Sequence, residues 1–340
     1  MKTFHAALAN SLLAFVVNNF VWFAVTFWVY LETKSVIATS VMAGVFTLTI
    51  AFSGFFLGSL VDRYPKKRVM MLSSIISLVL YAIAGLIFFT TPYEEFADAS
   101  SVRLWIFIVL ALVGAIGGNL RGIALSTLVT ILIPEDERDK ANGLVGTANG
   151  VSFLGASIFS GLAIGYLGMF WVLVIAIAVS VLVIAHLATL TIPDLPKKIR
   201  HAHDGEPEHE HDAPQDTNID IRGTIRAIQF VPGLFGLIFF HTFNNFLGGI
   251  FMSLMDAYGL LLVSVQVWGI LWGVLSLGFI VGGMIGGAFF GPFWGIYGLA
   301  WGVVNWGFIS FLPTFLRRAG FGAGAASFLL FLSAIVAIPG

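Results

Sequence analysis

GSLVDRYPKKRV, residues 58–69, separates two long apolar runs. Upstream the chain is apolar from about Val36 to Val61, and downstream it is apolar again from Val69 to Phe89. Between them stand Asp62, Arg63, Lys66, Lys67 and Arg68. A soluble protein carries such a cluster on any loop. This chain, however, is 58% hydrophobic and only 10% charged, against roughly 25% charged residues in ordinary soluble domains. In that setting the cluster marks where two membrane helices meet water on one side.

The rest of the composition agrees. The 33 Phe, 9 Trp and 38 Gly of this chain suit lipid-facing surface, the headgroup belt and close helix approach respectively. A net charge of −1 gives no reason to expect a nucleic-acid partner. With no Cys, disulfides, iron–sulfur clusters and thiolate zinc sites are excluded. The apolar run from Ala6 to Leu31 is too long for a signal-peptide core, and no small-residue cleavage pattern follows it, so it reads as an uncleaved first span.

A helix needs about 20 apolar residues to cross the hydrocarbon. That rule predicts about ten spans, near 7–31, 36–61, 69–90, 104–132, 142–166, 169–192, 230–255, 264–289, 295–314 and 321–338. Lipid offers no hydrogen-bond partner to the backbone, so each is expected to be helical and the fold class is an all-α membrane protein. Lys2, the 63–68 cluster, Arg138 with Lys140, and Lys197, Lys198, Arg200, Arg222 and Arg226 all fall on one set of alternate loops. Positive charge marks the cytoplasmic side, so the N-terminus is expected there.

Residues 193–224 are of another kind: polar, Pro-containing, rich in acids and His, and without apolar periodicity. They are expected to form a cytoplasmic linker between a six-helix bundle (1–192) and a shorter second bundle (225–340). His201, His203, His209 and His211 invite a zinc or nickel reading. Without fixed geometry a solvated linker is the better one, and no metal or other cofactor is expected. An internal repeat joins the halves, since Asn18-Asn19-Phe20 lies inside span one and Asn244-Asn245-Phe246 inside span seven. Parallel six-span repeats place a substrate path between the halves near the midplane.

Here the sequence resembles the major facilitator superfamily. Gly58, Leu60, Asp62, Arg63, Lys66, Lys67 and Arg68 look like its signature between spans two and three, G-x-L-x-D-R-x-x-x-[RK]-[RK], with Pro65 where Gly is common. Pro134-Glu135-Asp136-Glu137-Arg138 leading to Ala141-Asn142-Gly143 is similar to the loop before span five in macrolide-efflux and siderophore-export members. The resemblance covers about residues 1–285. It implies that Asp62 accepts hydrogen bonds from a helix N-terminus of the second half. It also implies that Gly58 permits close packing and that Arg63, Lys66, Lys67 and Arg68 act at a cytoplasmic gate. A purely topogenic cluster is the alternative.

Ionisable groups inside a span cost about 2.5–3.5 kcal/mol on insertion scales, so each is a functional candidate. Arg121, in GGNLRGIALST of span four, is the leading one. The resemblance associates an Arg in this span with proton or substrate coupling, while a snorkelling or structural Arg is the alternative. Asn18, Asn19, Asn244 and Asn245 are expected on the substrate path or in interhelical hydrogen bonds. His241 is either a proton-sensing or a packing residue. Glu32 and Asp256 stand at the outer ends of spans one and seven, as proton acceptors or interfacial acids. Span five has Gly150, Gly155 and Gly161 but lacks the Gly-Pro of the antiporter motif. Nucleotide-binding loops, hydrolase triads and metal-helix motifs do not appear, so an enzyme is not expected.

After span eight a second charged hinge is due, yet the sequence reads GGMIGGAFFGPFWGIYG. Arg317-Arg318 then falls where strict alternation places the outside. A truncated or recombined second half, an incomplete bundle, accounts for both. The combined expectation is a multi-pass inner-membrane transporter exporting a hydrophobic or amphipathic small molecule by alternating access, with proton coupling implied by the resemblance. Its partners are that substrate, protons and the bilayer. The alternatives are a lipid or siderophore transporter of the same fold, or a membrane fragment that does not transport.

Overall fold

The computed structural model describes residues 2–192, Gly236 and 254–289. Among these residues every regular element is a helix: α1 (Lys2–Thr33), α2 (Val36–Arg63), α3 (Lys66–Thr90), a short α4 (Tyr93–Ala97), α5 (Val102–Leu132), a 3-10 turn at Glu135–Glu137, α6 (Arg138–Tyr166) and α7 (Met169–Thr189). A helical stretch at 254–262 and α8 (Val265–Phe289) follow. Five helices, α1, α3, α5, α6 with its preceding turn, and α7, are long and apolar enough to cross a membrane. α2 and α8 carry the shorter apolar stretches Val36–Ile50 and Val265–Leu277. The first six expected spans and the eighth therefore coincide with helices. The linker, the spans expected at 295–314 and 321–338, and most of the one at 230–255 lie outside the described residues.

Local chemistry sets the helix ends. Ser35 caps α2 by accepting from the Ala38 N–H at 3.1 Å, and Ser101 caps α5 by accepting from Leu104. Only Tyr64 and Pro65 separate α2 from α3, and Pro65, with φ fixed near −50°, is preset to start the next helix. Gly168, at φ 82°, makes the left-handed turn from α6 into α7 that a side chain would resist. α4 was not foreseen: it is a five-residue cap whose Phe96 is buried against Trp28, Phe88 and Phe107 at centroid distances of 5.2, 5.2 and 5.9 Å. Its exposed Arg103–Glu95 pair, at 2.9 Å, contributes at most about 1 kcal/mol.

The basic residues at the hinge end have a second use. A helix C-terminus leaves carbonyls without partners and carries partial negative charge. The Lys66 ammonium donates to the Val61 carbonyl at the end of α2, and that of Lys67 to the Ala188 carbonyl at the end of α7, at 3.0 Å. Arg138 donates to Ile133 and Thr130 at the end of α5, at 3.3 and 3.2 Å. Three helix C-termini on one end are thus capped by cations drawn from two loops.

α1 runs through the middle of the first bundle and packs on α5, α6 and α7. α3 and α5 approach closely because α5 offers Gly114 and Gly117: Ser77 donates to the Gly114 carbonyl at 2.7 Å and Ser73 to that of Gly117 at 2.6 Å. α8 packs on the earlier helices where it crosses α6. A Cβ on Gly161 would lie 2.6 Å from the Val265 carbonyl oxygen and 2.9 Å from Gly269 Cα, so the two backbones touch there. This crossing lies at the end opposite the hinge, where α6 finishes and α8 begins.

Candidate substrate cavity and the buried arginine behind it

α1, α2, α5 and α6 line an open cavity of about 570 Å³. Its polar wall is Asn18, Asn19, Asn119, Asn149, Ser53 and Ser126, and its apolar wall includes Phe15, Trp22, Phe46 and Phe153. No charged side chain is among the described residues lining it. Trp22 and Phe46 stack at 4.0 Å, which fixes one aromatic face. Asn18 and Asn19 of α1 are held from behind. Asn18 Oδ1 accepts from the Tyr81 hydroxyl at 2.8 Å, and Asn19 Nδ2 donates to Ser152 Oγ at 3.3 Å. Hydrogen bonding between helices and a place on the cavity wall, posed as alternatives by the sequence, coexist at both residues.

Gly118 sets how far Asn18 reaches. A Cβ there would stand 2.3 Å from Asn18 Nδ2, whereas one at Gly122 meets nothing within 4 Å among the described atoms. Gly118→Ala is therefore expected to displace the amide from Tyr81 and destabilise the protein by about 1–3 kcal/mol, the range for an orphaned buried polar group. Gly122→Ala is expected to unfold near wild type. Thermal unfolding of both variants in the same detergent checks this.

Arg121 does not line the cavity. It is fully buried one layer behind, among α1, α3 and α5. Its guanidinium donates to Asn10 Oδ1 at 2.6 Å, to the Met70 carbonyl at 3.1 Å and to Ser74 Oγ, while Nε has no partner. No carboxylate among the described residues pairs with it. Its described partners are all neutral acceptors, an arrangement that disperses charge without cancelling it. A cavity of about 10 Å³, close to the size of one water, joins Arg121 to Asn18, Ser73, Ser77 and Ser180. Asn18 borders both spaces and is the partition between the arginine and the larger cavity.

The other expected residues scatter. Glu32 accepts from the Tyr93 hydroxyl, and that bond, with the carboxylate charge, pushes the Tyr93 phenol up to about 12. Glu32 thus anchors α4, away from the cavity. The helix that carries Asp256 continues to 262, and the carboxylate is buried. Its Oδ1 accepts from the indoles of Trp268 at 2.9 Å and Trp272 at 2.6 Å. Trp272 in turn packs on Phe23 and Phe153, at 5.4 and 6.0 Å, so Asp256 is tied to the cavity wall through one ring. Arg63 and Asp62 fall in the last turn of α2, and Lys66, Lys67 and Arg68 in the first of α3. No described residue lies within 4 Å of a Cβ built on Gly58. His241, Asn244 and Asn245 lie outside the described residues. Asn10, Ser74, Asn149 and Ser126 were missed. Their only sequence signal is polarity inside an apolar run, which many packing residues share.

The profile of the Major Facilitator Superfamily matches residues 7–297. The chain belongs to that superfamily. Its relatives include macrolide efflux protein A of Streptococcus pyogenes, 24% identical over 196 residues, which make up 57% of this chain and 45% of the relative. The chain therefore spans less than half the length of that protein in the match. Among solved structures it is similar to a D-xylose-proton symporter, with a TM-score of 0.65 and 13% identity, covering 99% of this chain and 79% of the other. It is also similar to a bacterial homologue of the human lysosomal transporter Spinster in an inward-facing, occupied conformation. There the TM-score is 0.61 and the identity 17%, covering 99% of this chain and 71% of that one. These likenesses establish the superfamily fold, and membership places the chain among membrane transporters and not enzymes.

Proposed function

We propose that this protein is a secondary active transporter that exports a hydrophobic or amphipathic small molecule by alternating access. The cavity carries the reading. Its volume falls within the roughly 300–1,000 Å³ of small-molecule sites. Four amides and two hydroxyls opposite aromatic rings suit a ligand that is mostly apolar with a few carbonyl or hydroxyl groups. The absence of charge among the described lining residues argues against a sugar phosphate or a strongly ionic cargo. The macrolide-efflux relative supports export and this substrate class.

The chain sits in the bacterial inner membrane with its N-terminus cytoplasmic, a placement supported by the capping cations gathered at one end. The six-helix bundle 1–192, the linker 193–224 and the second bundle 225–340 are its units. Asp62 with Arg63, Lys66, Lys67 and Arg68 forms the cytoplasmic gate around Gly58. Protons drive the cycle, with Arg121 and Asp256 the described residues best placed to couple to them. Cells expressing this chain are expected to accumulate less of a lipophilic dye or macrolide than control cells, and Asn18→Leu or Asp62→Asn to restore accumulation. Equal accumulation in all of them favours a fragment that folds without transporting.

A further inference from the structure

Asn10, fully buried in α1, joins three helices. Its Oδ1 accepts from Arg121 at 2.6 Å, and its Nδ2 donates to the Val183 carbonyl at 2.9 Å and stands 3.1 Å from His186 Nδ1. A guanidinium only donates and a backbone carbonyl only accepts, so these two partners fix which way the amide points. Nδ2 therefore faces the imidazole as a donor. His186 Nδ1 must accept, and the ring proton sits on Nε2. A second proton on the ring would set N–H against N–H and break the contact.

We propose that His186 is a positioning residue for Arg121: while neutral it locks the Asn10 amide that holds the guanidinium, and on taking a proton it releases that amide. The inference rests on the transport reading and supplies it with a proton-responsive group where no carboxylate among the described residues pairs with Arg121. His186 is suitably placed, exposed in the last turn of α7 at the hinge end. The helices packed on α7 are α1, α3 and α6. α3 brings Lys66, Lys67 and Arg68, with Lys67 bonded to Ala188, two residues from the ring. α1 brings Asn10 and, five positions earlier, His5. α6 holds Arg138, Asp139 and Lys140 in its first turn and, beyond them, only Tyr166 among titratable residues. Arg121 of α5 lies one side chain away.

With Asn10 released, Arg121 keeps only its α3 partners, Met70 and Ser74, and a buried cation already lacking a partner at Nε gains freedom to move. Two measurements on the full chain test this. In proteoliposomes with the same pH on both faces, so that no proton gradient drives the cycle, the ratio of counterflow rates at pH of about 8 and about 5.5 is expected to be several-fold for wild type. It should fall to near one for His186→Gln, whose amide oxygen accepts from Asn10 at every pH. A ratio that persists in His186→Gln overturns the proposal. Nitrogen NMR of ¹⁵N-histidine-labelled protein is expected to show a neutral His186 ring protonated on Nε2, with an Nδ1 resonance that moves in Asn10→Leu, or in Asn10→Ser should the first not fold. A proton on Nδ1, or a resonance indifferent to Asn10, overturns it. A wild-type chain that moves nothing defeats the transport reading, and the resonance then decides the inference alone.

Discussion

Arg121→Ala is expected to stop transport and to destabilise the first bundle by several kcal/mol. Three acceptors, Asn10 Oδ1, the Met70 carbonyl and Ser74 Oγ, lose their common donor. Asn10 Oδ1 is left unpaired, at about 1–3 kcal/mol, while Ser74 Oγ still donates to the Met70 carbonyl at 3.2 Å, and the emptied volume adds a cavity cost of about 2 kcal/mol or more. Arg121→Lys is not expected to rescue function, because one ammonium does not span acceptors on α1 and α3 that a planar fork reaches together. Arg121→Met separates stability from function. It fills part of the volume and removes the cost of a desolvated cation, so it should unfold closer to wild type. Transport should still fall by about tenfold or more, the effect of roughly 1.4 kcal/mol on the cycle's barrier. Unfolding temperatures in nanodiscs, set beside initial transport rates, check the series. Wild-type transport by Arg121→Met would make the arginine structural.

Gly161→Val is expected to separate α6 from α8 at the end opposite the hinge. The clash is with backbone: the Val265 oxygen at 2.6 Å and Gly269 Cα at 2.9 Å from the first side-chain atom. Gly269 is symmetrical, its Cβ falling 2.6 Å from the Ser157 oxygen and 2.8 Å from Gly161 Cα. Neither helix yields by rotating a side chain, so α6 and α8 must move apart. Overpacking of this kind costs about 1–3 kcal/mol at a site that can adjust, and a backbone crossing adjusts poorly. The separation also pulls Trp272 from Phe23 and Phe153 and so reaches the cavity. The chain has no Cys, so an engineered pair reports without interference. Gly273→Cys with Ile158→Cys is suited, since a Cβ on Gly273 falls 2.6 Å from Ile158 Cγ1. Oxidative cross-linking should be efficient in the parent background and should collapse in Gly161→Val.

What the sequence could tell follows from the range of each interaction. The 58–69 hinge was legible because charge in lipid is costly wherever it sits, and because its spacing is local. Asn18 and Asn19 were legible for the same reason, as polar groups in an apolar run. Their partners were not. Arg121 finds Asn10 at a separation of 111 residues and Asn19 finds Ser152 at 133, and nothing local in the chain encodes such pairings. Gly161 was noted as one of several glycines in span five, but only the crossing with α8 shows which backbone it admits. Asp256 was expected as either a proton acceptor or an interfacial acid. Its burial depends on two indoles 12 and 16 positions later, a pattern that reads in sequence as membrane-belt Trp. The truncated second half inferred from residues beyond 289 concerns a region outside the described residues.

The central claim is that this chain moves a molecule through the cavity around Asn18 and Trp22. Counterflow of a labelled macrolide in proteoliposomes tests it most directly, because exchange requires the cavity to face both sides in turn. Wild-type vesicles loaded with unlabelled compound should take up label well above protein-free vesicles, and Asn18→Leu and Trp22→Ala should abolish most of that uptake. Wild-type uptake equal to protein-free vesicles, or uptake untouched by both substitutions, would contradict the account.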